Sequence, residues 1–122
     1  MKKFIHGFGF AFNGLKYAFT TQLNFRVHVF AAVLVIGLSF YLHISAAEWN
    51  WMLLCIAMVL LTELLNTGIE TLTDLVSPGY NKLAGHVKDI SAAAVLVVAF
   101  FALLTGVVIF LPKILLLLGY AA

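Results

Sequence analysis

Three long apolar runs dominate the chain. Crossing the hydrocarbon core of a bilayer takes about 20 helical residues, because a helix rises about 1.5 Å per residue and leaves no backbone group unpaired in lipid. The first run covers residues 27–44, preceded by Arg26, with Tyr41 and His43 near its far edge. The second, residues 49–72, opens on Trp49 and Trp51, side chains suited to a membrane interface, and stays apolar to Leu61 before polar positions enter. The third, residues 90–111, stops at Pro112 and Lys113; its alanine-rich start and Gly106 suit close helix packing. Ahead of these, residues 4–23 place Phe4, Phe8, Phe12, Leu15 and Phe19 at intervals of three and four, with Asn13 and Lys16 elsewhere on the wheel. That spacing predicts an amphipathic helix lying in the interface, the alternative being a fourth buried helix. The pattern predicts one all-α membrane domain over residues 1–122, with three transmembrane helices and an N-terminal amphipathic helix.

Composition agrees with lipid as the solvent. Of 122 residues, 64% are hydrophobic and 10% charged, whereas a soluble domain is nearer a quarter charged, about 25%, to wet its surface. A net charge of +2 with scattered basic residues argues against a nucleic-acid partner. Lys2 and Lys3 precede an apolar stretch, but His6, Asn13 and Lys16 interrupt it, so it makes a poor signal peptide. The single cysteine, Cys55, lies inside an apolar run and reads as a small packing residue. Basic residues fix an orientation: Lys2, Lys3, Lys16 and Arg26 precede the first span, Lys82 and Lys88 separate the second from the third, and residues 44–50 carry none. Positive charge stays inside, so the N-terminus and the connection around residues 75–89 are expected to be cytoplasmic, with Lys113 the one dissenting charge.

Candidate chemistry is concentrated where the second span turns polar, at Glu63, Asn66, Glu70 and Asp74. With Glu63 taken as zero, a helix puts the other three at about −60°, −20° and +20°, one stripe about 80° wide. Carboxylates on a membrane helix are costly facing lipid, so the stripe should face the bundle interior or a wet cavity and meet a cation there. Mg²⁺ suits it, since it takes hard oxygen ligands and completes its shell with water and phosphate oxygens. Glu70 and Asn66, one turn apart, could reach one ion; Glu63, deeper, could act as general base on a substrate hydroxyl. Ser77, Pro78, Gly79 and Asn81 mark a turn, after which Lys88 is placed to neutralise a phosphate and Asp89 to cap the third helix or orient nucleotide or metal. The plainer reading is a solvated helix edge, which fits Asp74 better than Glu63. His28, His43 and His86 lack metal-ligand spacing and read as interface or loop residues, and His6 as surface. No GxxxxGK[ST] loop is present, so a phosphate cradle must come from side chains and a metal.

The run Glu63-Leu64-Leu65-Asn66-Thr67-Gly68-Ile69-Glu70, then Asp74, then Lys88-Asp89-Ile90-Ser91, resembles the signature of the prokaryotic diacylglycerol kinase family. Gly14-Leu15 through Asn24-Phe25-Arg26-Val27-His28 is similar to that family's N-terminal region, and length and span plan agree along nearly the whole chain. The resemblance implies an ATP-dependent lipid kinase of the bacterial inner membrane, a homotrimer whose composite cytoplasmic active sites join neighbouring protomers. It implies Glu63 as base, Glu70 as metal ligand, and Asn66, Asp74, Lys88 and Asp89 at nucleotide or active-site positions. It further implies ATP contacts at Lys3, Phe10 and the Gly79-Tyr80-Asn81 turn, and Ser91 beside the lipid hydroxyl.

One position departs from the family's pattern: Gln22 stands where a second metal-binding carboxylate is usual. Its carbonyl can coordinate Mg²⁺ and its place in the nucleotide site carries over, but it adds no negative charge. It fits a working natural variant, a substitution that traps a state, or a weakened enzyme. The substrate is equally open, between diacylglycerol, yielding phosphatidic acid, and undecaprenol, whose branch of the family the Asn24–His28 run resembles more. A catalytically silent membrane protein would explain Gln22 but not four retained polar groups, Glu63, Asn66, Glu70 and Lys88. An ion or proton carrier using Glu63 and Glu70 gives no role to Lys88-Asp89.

Overall fold

The computed structural model describes residues 1–120 and contains four helices: α1 (Lys2–Thr21), α2 (Leu23–Tyr41), α3 (Ala46–Val76) and α4 (Lys82–Leu117). The last three are each long and apolar enough to span a membrane. Among the described residues there is no strand. At about 1.5 Å per residue α3 is about 46 Å long and α4 about 54 Å, well beyond the ~30 Å of hydrocarbon, so both project out of the bilayer core.

Local chemistry sets the helix ends. Ser45 caps α3 in a reciprocal box: its Oγ accepts from the Glu48 amide at 3.2 Å, and its own amide donates to Glu48 Oε1 at 2.9 Å. Asn81 caps α4, its Oδ1 accepting from the amides of Leu83 and Ala84 at 2.9 and 3.1 Å. Asp89 therefore lies two turns inside α4 and does not cap it. Helix α4 also continues through Pro112 to Leu117; proline removes one backbone bond, a loss that neighbouring groups in a membrane helix can absorb.

Between α1 and α2 a single residue, Gln22, adopts an extended conformation (φ −112°, ψ 109°) and ends one helix while starting the next. Just before it the hydroxyls of Thr20 and Thr21 bond back to the carbonyls of Lys16 and Tyr17, at 2.8 and 2.7 Å, an arrangement that bends helices. Arg26 then reaches over the junction and donates to the carbonyls of Phe19 and Thr20 at 2.8 and 3.2 Å, satisfying acceptors freed at the end of α1.

Helices α3 and α4 form the main hairpin, α2 packs on α3, and α1 touches α2 and α3 lightly. Of α1 only Ala18 is buried, and Phe4, Phe8, Phe12, Leu15 and Phe19 remain exposed, as an interfacial helix requires. A small core of Ile44, Met52, Cys55, Ile109 and Phe110 closes the end of the bundle opposite the polar stripe. At that end Lys113 Nζ lies 3.3 Å from Glu48 Oε1, tying α4 to the start of α3. A methyl on Gly106 would meet only the ring of Phe110 on its own helix, at 3.9 Å. Gly106 thus lines an internal space and does not mark a tight helix crossing.

Candidate active site

Helical periodicity carries Glu63, Asn66 and Glu70 down one face of α3, and the packing of α4 and α2 supplies their partners. Glu63 is 3% exposed, far below what a solvated helix edge would give. Its Oε1 lies 3.2 Å from Nε2 of His28 on α2. One turn on, Asn66 is buried and splits its amide: Oδ1 accepts from Ser91 Oγ on α4 at 2.6 Å, and Nδ2 donates to Glu70 Oε1 at 3.4 Å. The hydroxyl of Thr67 bonds the Glu63 backbone carbonyl at 3.0 Å and leaves the Glu63 carboxylate alone. Further out, Asp74 and Lys88 form an exposed ion pair between α3 and α4.

Glu63, Asn66, Glu70 and Ser91 thus sit within one region of the fold, with Asp74 and Lys88 paired at its outer edge. The other candidates stand apart. Lys3 and Phe10 are on the exposed surface of α1, Gly79 and Tyr80 are exposed in the connection after α3, and Asp89 is exposed on α4. Gln22 is half-buried at the α1–α2 junction, where its amide nitrogen donates to Thr21 Oγ1 at 3.3 Å. Asn81 spends its side-chain oxygen on the α4 cap. Among the described residues, none of these seven is joined to the Glu63–Glu70 group by a hydrogen bond or ion pair.

His28 is the side chain beside Glu63 that sequence reasoning passed over, placing it at an interface or in a loop. It is part of α2 and meets Glu63 across the bundle. The available signal was its depth: both residues lie a short way inside their spans on the side rich in Lys and Arg.

The donor set suits a shared metal site and not an enclosed one. Among the described residues no three His, Cys, Asp or Glu side chains converge, so no all-protein cage exists. A Mg²⁺ ion that keeps its waters and shares phosphate oxygens needs only one or two carboxylates, and Glu70 offers one. In this structure Asn66 gives its oxygen to Ser91 and its NH₂ to Glu70, so the amide braces the Glu70 carboxylate.

An apolar cavity of about 310 Å³ begins at His28 and runs between α2, α3 and α4 past Val35, Cys55, Val59 and Gly106 to Phe110. A polar group at its head and apolar walls beyond is the division an amphiphile with one reactive end requires.

Comparison with known proteins gives a consistent family. A family model described as prokaryotic diacylglycerol kinase matches residues 9–110. A diacylglycerol kinase of Synechocystis is 41% identical over 109 residues, 88% of this chain and 62% of that protein. An undecaprenol kinase of Bacillus subtilis is 36% identical over 113 residues, 93% of this chain and 92% of that protein. A diacylglycerol kinase of Escherichia coli K12 is 28% identical over 103 residues, 84% of each. The chain thus spans less than two thirds of the Synechocystis protein but nearly all of the Bacillus subtilis one.

Proposed function

This chain belongs to the prokaryotic diacylglycerol kinase family, whose members are named as lipid kinases, and on that premise we propose that it transfers the γ-phosphate of ATP to the primary hydroxyl of diacylglycerol, giving phosphatidic acid. The observation that carries the reading is a buried carboxylate, Glu63, on one helix stripe with Asn66 and Glu70 and 3.2 Å from His28, which lines the head of an apolar cavity.

In this mechanism Glu63 takes the proton of the lipid hydroxyl as its oxygen attacks the γ-phosphorus in line and the bond to the ADP oxygen breaks. Ser91 stands beside the hydroxyl and Lys88 supplies positive charge where the phosphates arrive. Lys3, Phe10, Gln22, Asp74, the Gly79-Tyr80-Asn81 turn and Asp89 contact the nucleotide. Glu70, with the Gln22 carbonyl, would hold Mg²⁺, which when bound offsets charge on the transferring phosphoryl group. Within one chain Gln22 shares no bond with Glu70, which suits a homotrimer whose sites join residues of neighbouring protomers. The polar end of the bundle would face the cytoplasm of a bacterial inner membrane, where ATP is available.

Undecaprenol is the second reading of the substrate, favoured by the Asn24–His28 run and by the match along nearly the full length of an undecaprenol kinase. Purified protein in mixed micelles with radiolabelled ATP, offered both lipids side by side, tests both readings. Label in phosphatidic acid is the expected result; label in undecaprenyl phosphate alone transfers the assignment to the second reading, and label in neither removes the kinase reading.

A further inference from the structure

Glu63 is a flexible side chain with two carboxylate oxygens, and a base that must wait for a hydroxyl works best when held in one place. We propose that His28 is the positioning residue for Glu63: its imidazole N–H fixes Oε1 and leaves Oε2 directed to the substrate hydroxyl. The inference rests on Glu63 being the base. The residues around the carboxylate narrow the choice. Asn66 is committed to Ser91 and Glu70, and Thr67 bonds the Glu63 backbone. Among the described residues, His28 is the one side chain joined to the Glu63 carboxylate by a hydrogen bond or ion pair.

Its place in the fold fits the task. His28 lies on α2 where that helix turns apolar: beyond it the next polar side chain toward the far end is Ser39, which bonds its own backbone at Val35. A polar ring in such a helix needs a partner, as does a buried carboxylate, and here each satisfies the other. His28 also lines the head of the apolar cavity, so it borders both the base and the space suited to the lipid.

The test compares His28→Leu, which keeps bulk and removes the donor, with His28→Gln, which keeps a donor at similar reach. Removing a partner that orients a reactive group commonly costs about 10- to 100-fold. We expect His28→Leu to lower kcat by about that factor with KM for ATP within about twofold, and His28→Gln to recover most of the loss. On a Glu63→Gln background His28→Leu should cause no further loss. In ¹⁵N spectra of the wild-type protein in micelles, the His28 imidazole signals should move when Glu63→Gln is introduced, a readout independent of turnover. Equal activity of the Leu and Gln variants, whether both full or both reduced, would overturn the positioning role. So would imidazole signals unmoved by Glu63→Gln in an enzyme that turns over. A wild-type protein that phosphorylates neither lipid instead removes the kinase reading itself, which separates the two failures.

Discussion

Burial makes Glu63 chemically distinct from the other carboxylates on its stripe. Glu63→Gln keeps shape and burial but cannot accept a proton, so turnover should fall by about 10² to 10⁴, the range for a lost general base. Nucleotide binding, measured with a fluorescent ATP analogue, should persist, and retained turnover in micelles would remove Glu63 from its role. Glu70→Gln should act on the metal. The Mg²⁺ concentration for half-maximal rate should rise, because the one carboxylate proposed to hold the ion is lost, and an unchanged titration would remove Glu70 from the site. At this scale the sequence was partly legible. The 100° step of a helix groups Glu63, Asn66 and Glu70 on a face, and that face is where the structure puts them. It cannot say which other helix the face meets, so the contact of Glu63 with His28 and the hydrogen bond from Ser91 to Asn66, 35 and 25 residues apart in sequence, appear only in three dimensions. Nor does spacing show that Asn66 turns its oxygen away from Glu70.

At the scale of elements, long apolar runs announced α2, α3 and α4, and the four-four-three-four spacing of large side chains announced α1. The ends were harder to read, because a hydropathy window follows lipid exposure whereas a helix ends where its caps are. Asn81 caps α4 nine residues before Ile90, where the apolar run begins. Ser45 and Glu48 have the spacing of a capping box, a signal that the hydropathy reading passed over and the structure shows. The junction at Gln22 was not, because its fixing residue is Arg26, which reaches back seven residues to Phe19. Arg26→Ala should release the carbonyls of Phe19 and Thr20 and loosen α1. Hydrogen exchange at residues 15–21 should rise while exchange in α3 stays unchanged; equal protection in both forms would show that the junction holds without the guanidinium.

For the whole molecule, the proposed orientation rests on six basic residues, Lys2, Lys3, Lys16, Arg26, Lys82 and Lys88. On a Cys55→Ala background in right-side-out vesicles, a cysteine introduced by Ala47→Cys should react with a membrane-impermeant maleimide. One introduced by Gly79→Cys should react only after permeabilisation, and the reverse pattern would invert the proposed topology. Lys113 is the residue that counting alone could not place. Its ammonium lies 3.3 Å from Glu48 at the opposite end. In the proposed orientation both residues must be carried to the outer side as the α3–α4 hairpin inserts. A lone lysine moved outward against a membrane potential, negative inside, costs about 2.3 kcal/mol per 100 mV. Glu48 and Lys113 together carry no net charge across, so the potential neither opposes nor favours their passage, and insertion is left to the apolar helices and the basic residues that stay behind.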